Sequence, residues 1–168
     1  QLERMGVETT VLPVDAAGRV SPDAVAAAIR GDTVLVSVML VNNEVGTIQP
    51  IREIGALLKD YPHVKFHVDG VQAVGKLPIL WKAWGVDLFT ASAHKFRGPK
   101  GVGFLLVREG VRLMPLLAGG SQEGGLRGGT SNLPNIVGMA QALRLAEESR
   151  ERRAENGYRL RRRLLGHV

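Results

Sequence analysis

The sequence predicts an α/β fold, a three-layer sandwich on a mostly parallel central sheet, and three observations predict it. Short apolar runs alternate with segments of helical spacing, the pattern of strands joined by crossover helices. One of these runs, Thr33 to Val41, is apolar almost throughout, as in a central parallel strand buried on both faces. Polar residues at the ends of three successive runs, Asn43, Asp69 and Lys95, recur at intervals of 26 positions. That interval is close to one strand-helix repeat, so all three belong on one edge of one sheet. In open α/β sheets the carboxyl edge of the strands is where ligands bind.

The elements follow in order. Gln1 to Gly6 reads as the tail of a helix, and Glu8 to Val14 as a short strand with Pro13 at its end or on an edge. Ser21-Pro22-Asp23 starts a helix, because Ser can cap and Pro fits the first turn, and Gly31 closes it. Behind the strand Thr33 to Val41 comes Asn42-Asn43-Glu44, then a helix from Pro50 to Lys59 with Ile51, Ile54, Leu57 and Leu58 at helical spacing. Pro62 stops it. Val64 to Val68 is the next strand and Asp69 ends it; short helical elements follow from Gln72 and around Leu80 to Trp84, the latter closed by Gly85. Val86 to Ala91 is a strand, Ser92 to Gly101 a polar loop punctuated by glycine, and Val102 to Val107 another buried strand. The run from Gly119-Gly120 to Gly128-Gly129 is a flexible loop by composition, and Pro134 to Glu148 is a helix with Ile136, Met139, Ala140 and Leu143 on one face.

Composition narrows the function classes. With 168 residues, 45% apolar and 23% charged, the chain is long enough for one domain with a real core. No run approaches the length of a membrane span, and residues 1–30 carry no signal-peptide pattern, so a cytoplasmic location and no membrane partner are expected. Zero cysteines leave no disulfide framework, thiolate metal site or catalytic thiol within these residues. The net charge is +6, but eight arginines against four glutamates between Arg144 and Arg163 account for most of the excess. Such a local excess on a helical stretch reads as a solvated face, and no nucleic-acid partner is expected. His67, Asp69 and His94 match no metal-ligand spacing, so no metal is expected. The glycines from Gly98 to Gly103 are not in dinucleotide-fingerprint order, and no P-loop string is present.

Lys95 sits where a strand has just ended, between Ser92-Ala93-His94 and Phe96-Arg97. Alone, that string reads as a basic surface loop. Held by a rigid sheet, however, such an amine can reach a cleft and form a Schiff base. A carboxylate on a neighbouring strand end suits a pyridine cofactor, since an anion opposite the ring nitrogen keeps it protonated and makes the ring an electron sink. Asp69 is the candidate, although in isolation it reads first as a helix cap. Gln72 and Asn43 are candidates for the cofactor's phenolic oxygen or the substrate, and Ser92 and His94 for its phosphate.

Four strings in order then carry a resemblance. They are Val41-Asn42-Asn43-Glu44-Val45-Gly46-Thr47, His67-Val68-Asp69-Gly70-Val71-Gln72-Ala73-Val74-Gly75-Lys76, Ser92-Ala93-His94-Lys95 with Gly98-Pro99-Lys100-Gly101-Val102-Gly103, and Gly119-Gly120-Ser121-Gln122-Glu123 to Arg127-Gly128-Gly129-Thr130. Over about residues 8 to 148 the sequence resembles the cysteine desulfurases, class V aminotransferases that use pyridoxal phosphate. The resemblance implies an incomplete large domain of a pyridoxal-phosphate transferase over 1–148, with 149–168 beginning the link to a C-terminal small domain. Lys95 matches the lysine that holds the cofactor covalently, Asp69 the partner of the pyridine nitrogen, and Gln72 a partner of the phenolic oxygen. Asn43 matches the asparagine near that oxygen and the substrate, Ser92 and His94 match phosphate ligands, and Thr130 a threonine reaching the phosphate of the neighbouring subunit's cofactor.

The family implies a homodimer that takes sulfur from L-cysteine, leaves alanine and passes the sulfur to an enzyme cysteine. From there it goes to an acceptor or scaffold protein, for iron-sulfur cluster assembly or tRNA thiolation. Because these residues include no cysteine, the chain alone is expected to be inactive. A selenocysteine lyase or kynureninase-like relative, and a catalytically silent dimerisation or scaffold module, are the alternatives. Arg127 is expected either to fix the glycine-rich loop or to meet the partner subunit.

Overall fold

The computed structural model describes residues 2–166. It is an α/β chain with a four-stranded, mostly parallel sheet in the order β1-β2-β3-β4. The strands are β1 (Leu35–Met39), β2 (Lys65–Asp69), β3 (Leu88–Ser92) and β4 (Gly103–Val107). The helices are α1 (Pro22–Ala28), α2 (Ile51–Leu57), α3 (Leu133–Glu148) and α4 (Arg150–Leu165). Among the described residues no helix is long and apolar enough to cross a membrane.

Contacts divide the chain into two compact units, and β3 belongs to both. The first unit runs to Gln72 and adds Leu80–Phe89; the second comprises Ala73–Ile79 and the chain from Thr90 onward.

In the first unit β1 and β2 pair in parallel, with Leu35 opposite Lys65 and Met39 opposite Asp69. Burial on β2 alternates, with Phe66 and Val68 fully enclosed. Asp87 locks the entry to β3: its Oδ2 accepts from the Phe66 amide at 2.8 Å, while its own amide donates to the Phe66 carbonyl at 2.9 Å. The helix α1 starts as its sequence dictates, with Ser21 Oγ accepting from the Asp23 amide and Pro22 in the first turn, but it ends at Ala28, before Gly31. Ile51 and Ile54 bury the inner face of α2. The buried Gln49 ties the loop before α1 to the chain after β1, accepting from the Val20 amide and donating to the Gly18 carbonyl.

Several expectations change. Glu8 to Val14 is irregular and almost wholly exposed, since no strand pairs with it among the described residues and Pro13 has no amide to offer. Gln72 and Leu80 to Trp84 begin hydrogen-bonded turns rather than helices. The N-terminal helix tail is a single 3-10 turn, Glu3–Met5, closed by Gly6 at φ 80°. Most consequential is β1. It stands at the edge of the sheet with Leu35 and Met39 exposed, where its apolar run had suggested burial on both faces.

In the second unit the core gathers around Phe96, Ala93 and Ala146. A 3-10 turn, Ala93–Phe96, follows β3 directly, and α3 packs on it. The break between α3 and α4 falls at Ser149, whose Oγ donates to the Leu145 carbonyl at 2.6 Å.

Candidate functional site

In the first unit the register that sets Met39 against Asp69 puts the segments after β1 and β2 on the same carboxyl edge. The Leu40 amide donates to the Asp69 carbonyl at 2.8 Å, extending the pairing one step further. Asp69 is half-buried, and its Oδ1 accepts from the Val71 amide at 2.8 Å, which fixes the carboxylate before the turn bearing Gln72. Gly70 must be glycine: a Cβ there would lie 1.9 Å from Phe89 Cζ. Beyond β1, the two asparagines divide their labour. Asn42 builds the turn, its Oδ1 accepting from the amides of Glu44 at 2.9 Å and Val45 at 3.0 Å, whereas Asn43 stays exposed with its amide donating to Glu44 Oε1 at 2.8 Å.

In the second unit Ser92, His94 and Lys95 sit on one turn. Ser92 Oγ lies 2.8 Å from His94 Nδ1, and Lys95, the next residue, is half-buried. The turn is pinned at both ends: the Ala93 amide donates to the Val102 carbonyl at 3.0 Å and the Gly98 amide to the Ala93 carbonyl at 2.8 Å. A Cβ on Gly98 would come within 2.9 Å of Ala93 Cβ, and one on Gly103 within 2.5 Å of the Ala91 carbonyl oxygen. These glycines are therefore what lets the next strand lie close against the lysine turn. Lys100 is exposed beyond Pro99, and Thr130 is exposed on the segment leading into α3. Arg127 Nη1 donates to the carbonyl of the next residue, Gly128, at 2.8 Å.

Two residues near these groups carry signals the sequence hid or only partly showed. On β2, His67 precedes Asp69 by two residues and so shares its face, a relation legible in the alternation of the strand. Its Nδ1 lies 2.8 Å from Oγ of Ser37, its partner across β1. Burial pushes the imidazole pKa down, more than the Asp69 carboxylate raises it. The other is Lys76, whose amine is pushed below its ordinary basicity first by burial and then by the charges of Lys95 and Arg153. Nothing in the local sequence announces this, since Arg153 is far along the chain. Its Nη1 approaches the Gly75 carbonyl at 3.5 Å.

Each unit by itself carries groups of the kind a phosphorylated pyridine aldehyde takes: the first a carboxylate fixed by a backbone amide at a strand end, the second an amine on one turn with a hydroxyl and an imidazole.

The sequence matches the aminotransferase class-V family over residues 1–165. It is 50% identical over 164 residues to the protein named cysteine desulfurase IscS of Methanosarcina thermophila, covering 98% of this chain and 40% of that one. A protein of the same name in Dictyoglomus turgidum is 51% identical over 145 residues, 86% of this chain and 36% of its own. Among solved structures, one titled NifS-like protein superposes with a TM-score of 0.94 at 43% identity, covering 98% of this chain and 46% of the other. Another, titled SspA in complex with cysteine, has a TM-score of 0.82 at 43% identity, over 85% of this chain and 42% of that one. The chain thus spans about two fifths of the length of its curated relatives.

Proposed function

Because the chain belongs to the aminotransferase class-V family, we propose that it forms part of a pyridoxal-phosphate-dependent cysteine desulfurase, with L-cysteine as substrate and alanine as product. The observation that carries the reading is the turn closing β3, where Ser92, His94 and Lys95 set a hydroxyl, an imidazole and an amine within four residues of a strand end. The relatives named cysteine desulfurase support the reaction, and the neighbour solved with cysteine supports the substrate.

When bound, pyridoxal phosphate supplies an electron sink for bond breaking at the substrate's α-carbon. In this reading Lys95 is the catalytic residue that anchors it covalently and moves protons at that carbon. Asp69, already oriented by Val71, sets its negative charge against the pyridine nitrogen and holds the proton there. Gln72 and Asn43 donate to the phenolic oxygen and the substrate, and Ser92 and His94 bind the phosphate. Thr130, on an exposed segment, is assigned to the phosphate of a second subunit in a homodimer. The sulfur-accepting thiol is assigned to residues outside this sequence, which has no cysteine. Delivery to an acceptor protein for iron-sulfur assembly, in the cytoplasm, completes the proposal. A division into a large domain over 1–148 and a link over 149–168 is supported by the helix break at Ser149.

Borohydride reduction of the full-length protein loaded with pyridoxal phosphate, followed by peptide mapping, tests the central assignment. Label on Lys95 is expected. Label on Lys100, or none, overturns it.

A further inference from the structure

Behind the lysine turn, within the second unit, the 3-10 turn and the helices α3 and α4 line an open cleft of about 340 Å³. Phe96 and Leu145 give it an apolar wall, and Gln141 and Ser149 contribute polar groups. Its charged residues are Arg97 and Arg153, and no carboxylate lines it.

Arg97 is exposed at the mouth of the cleft and Arg153 half-buried, and four features mark the site as cationic. Arg97 stands at φ 70°, a left-handed conformation that side chains other than glycine and asparagine rarely adopt, and the flanking turn holds it there. Arg153 is half-buried and reaches the Gly75 carbonyl. The acids at the end of α3 face other arginines: Glu147 meets Arg150 at 3.2 Å and Glu148 meets Arg144 at 2.7 Å. Finally, Lys76 is depressed in basicity partly by Arg153, so positive charge here is crowded. The helix α3 lies close against the turn, since a Cβ on Gly138 would be 2.9 Å from Pro99 Cγ.

We propose that this cleft is an anion-binding site that takes a small ligand bearing a carboxylate or phosphate on a compact apolar body. The oxyanion is held by Arg97 and Arg153, relieving the crowding of cations, while the accessible Leu145 side chain, which lines the cleft with the buried Phe96, covers the apolar part. The proposal goes beyond the desulfurase reading and does not depend on it.

The test is calorimetric titration of the full-length, cofactor-loaded protein with inorganic phosphate and, separately, with acetate, which distinguishes the two anion sources. Saturable binding of at least one probe is expected, weakened by added salt and at least about tenfold weaker in each of Arg97→Gln and Arg153→Gln. Arg97→Gly, which relaxes the left-handed backbone, should keep the fold and still lose binding. Absence of saturable binding overturns the proposal. So does equal binding by the wild type and both glutamine variants, which means an adventitious ion only. A crystal structure of the full-length protein with an acidic segment of its own chain paired to both arginines overturns it as well.

Discussion

The carboxylate of Asp69 owes its orientation to the backbone of the turn it precedes, where the Val71 amide donates to Oδ1. An asparagine can accept the same bond, so Asp69→Asn is expected to leave the unfolding midpoint almost unchanged. In the full-length enzyme it should cost several kcal/mol of transition-state stabilisation, at least about a hundredfold in kcat/KM, because the charge assigned to the pyridine nitrogen is lost. Steady-state kinetics alongside urea denaturation separate the two effects; near-normal turnover would remove Asp69 from its assigned role. His67, two residues earlier, makes a prediction about stability. Its folded pKa lies below the ordinary 6.5, so near that pH the unfolded chain binds protons more readily than the folded one. The stability contribution is therefore complete above about pH 6.5 and falls as the pH drops through it toward the lower folded value. His67→Gln should flatten this dependence. Urea midpoints at about pH 7.5 and about pH 5.5 measure it; an unchanged slope would place the linkage elsewhere.

At the scale of elements, two glycines in helices should respond to the same substitution with opposite signs. A Cβ on Gly55, in α2, would lie 1.8 Å from the Trp84 carbonyl oxygen, while one on Gly157, in α4, meets nothing within 4 Å. Replacing a helical glycine by alanine is worth about 1 kcal/mol from propensity alone. At Gly157 that gain stands. At Gly55 the obstacle is backbone, which cannot rotate away, so overpacking of about 1–3 kcal/mol outweighs it and Gly55→Ala is destabilising. Denaturant midpoints of the two variants check this, and a stabilised Gly55→Ala would show that the turn at Trp84 yields. The elements also mark how far local sequence reads. Ser21 and Pro22 announce α1 because a cap and a fixed φ act within one turn. The edge position of β1 is not announced, since its apolar run records what each residue is and nothing of what lies beside it.

For the molecule as a whole, the prediction is that the 168-residue chain by itself, given pyridoxal phosphate, L-cysteine and a reductant, releases no alanine or sulfide beyond about one equivalent. No thiolate is present to accept sulfur. The same chain should bind a hydrophobic dye and self-associate, because Val11, Met114 and Leu116 are each more than nine-tenths exposed. Catalytic turnover would contradict the proposed sulfur route. Sequence by itself determined the order of β1 to β4 and of α1 to α3, the polar residues at strand ends and the resemblance carried by four strings, while the strand read at Glu8 to Val14 and the helices read at Gln72 and Leu80 did not form. Hydrophobic period, caps and glycine punctuation act over a few residues and can be read in line. Only the tertiary structure decided that Asn42 rather than Asn43 ties the loop after β1, that Gly70 makes room for Phe89, and that Arg153 reaches Gly75 and crowds Lys76. Each of these is settled by the direction of a side chain or by contact between distant segments, and such contacts exist only once the backbone has folded.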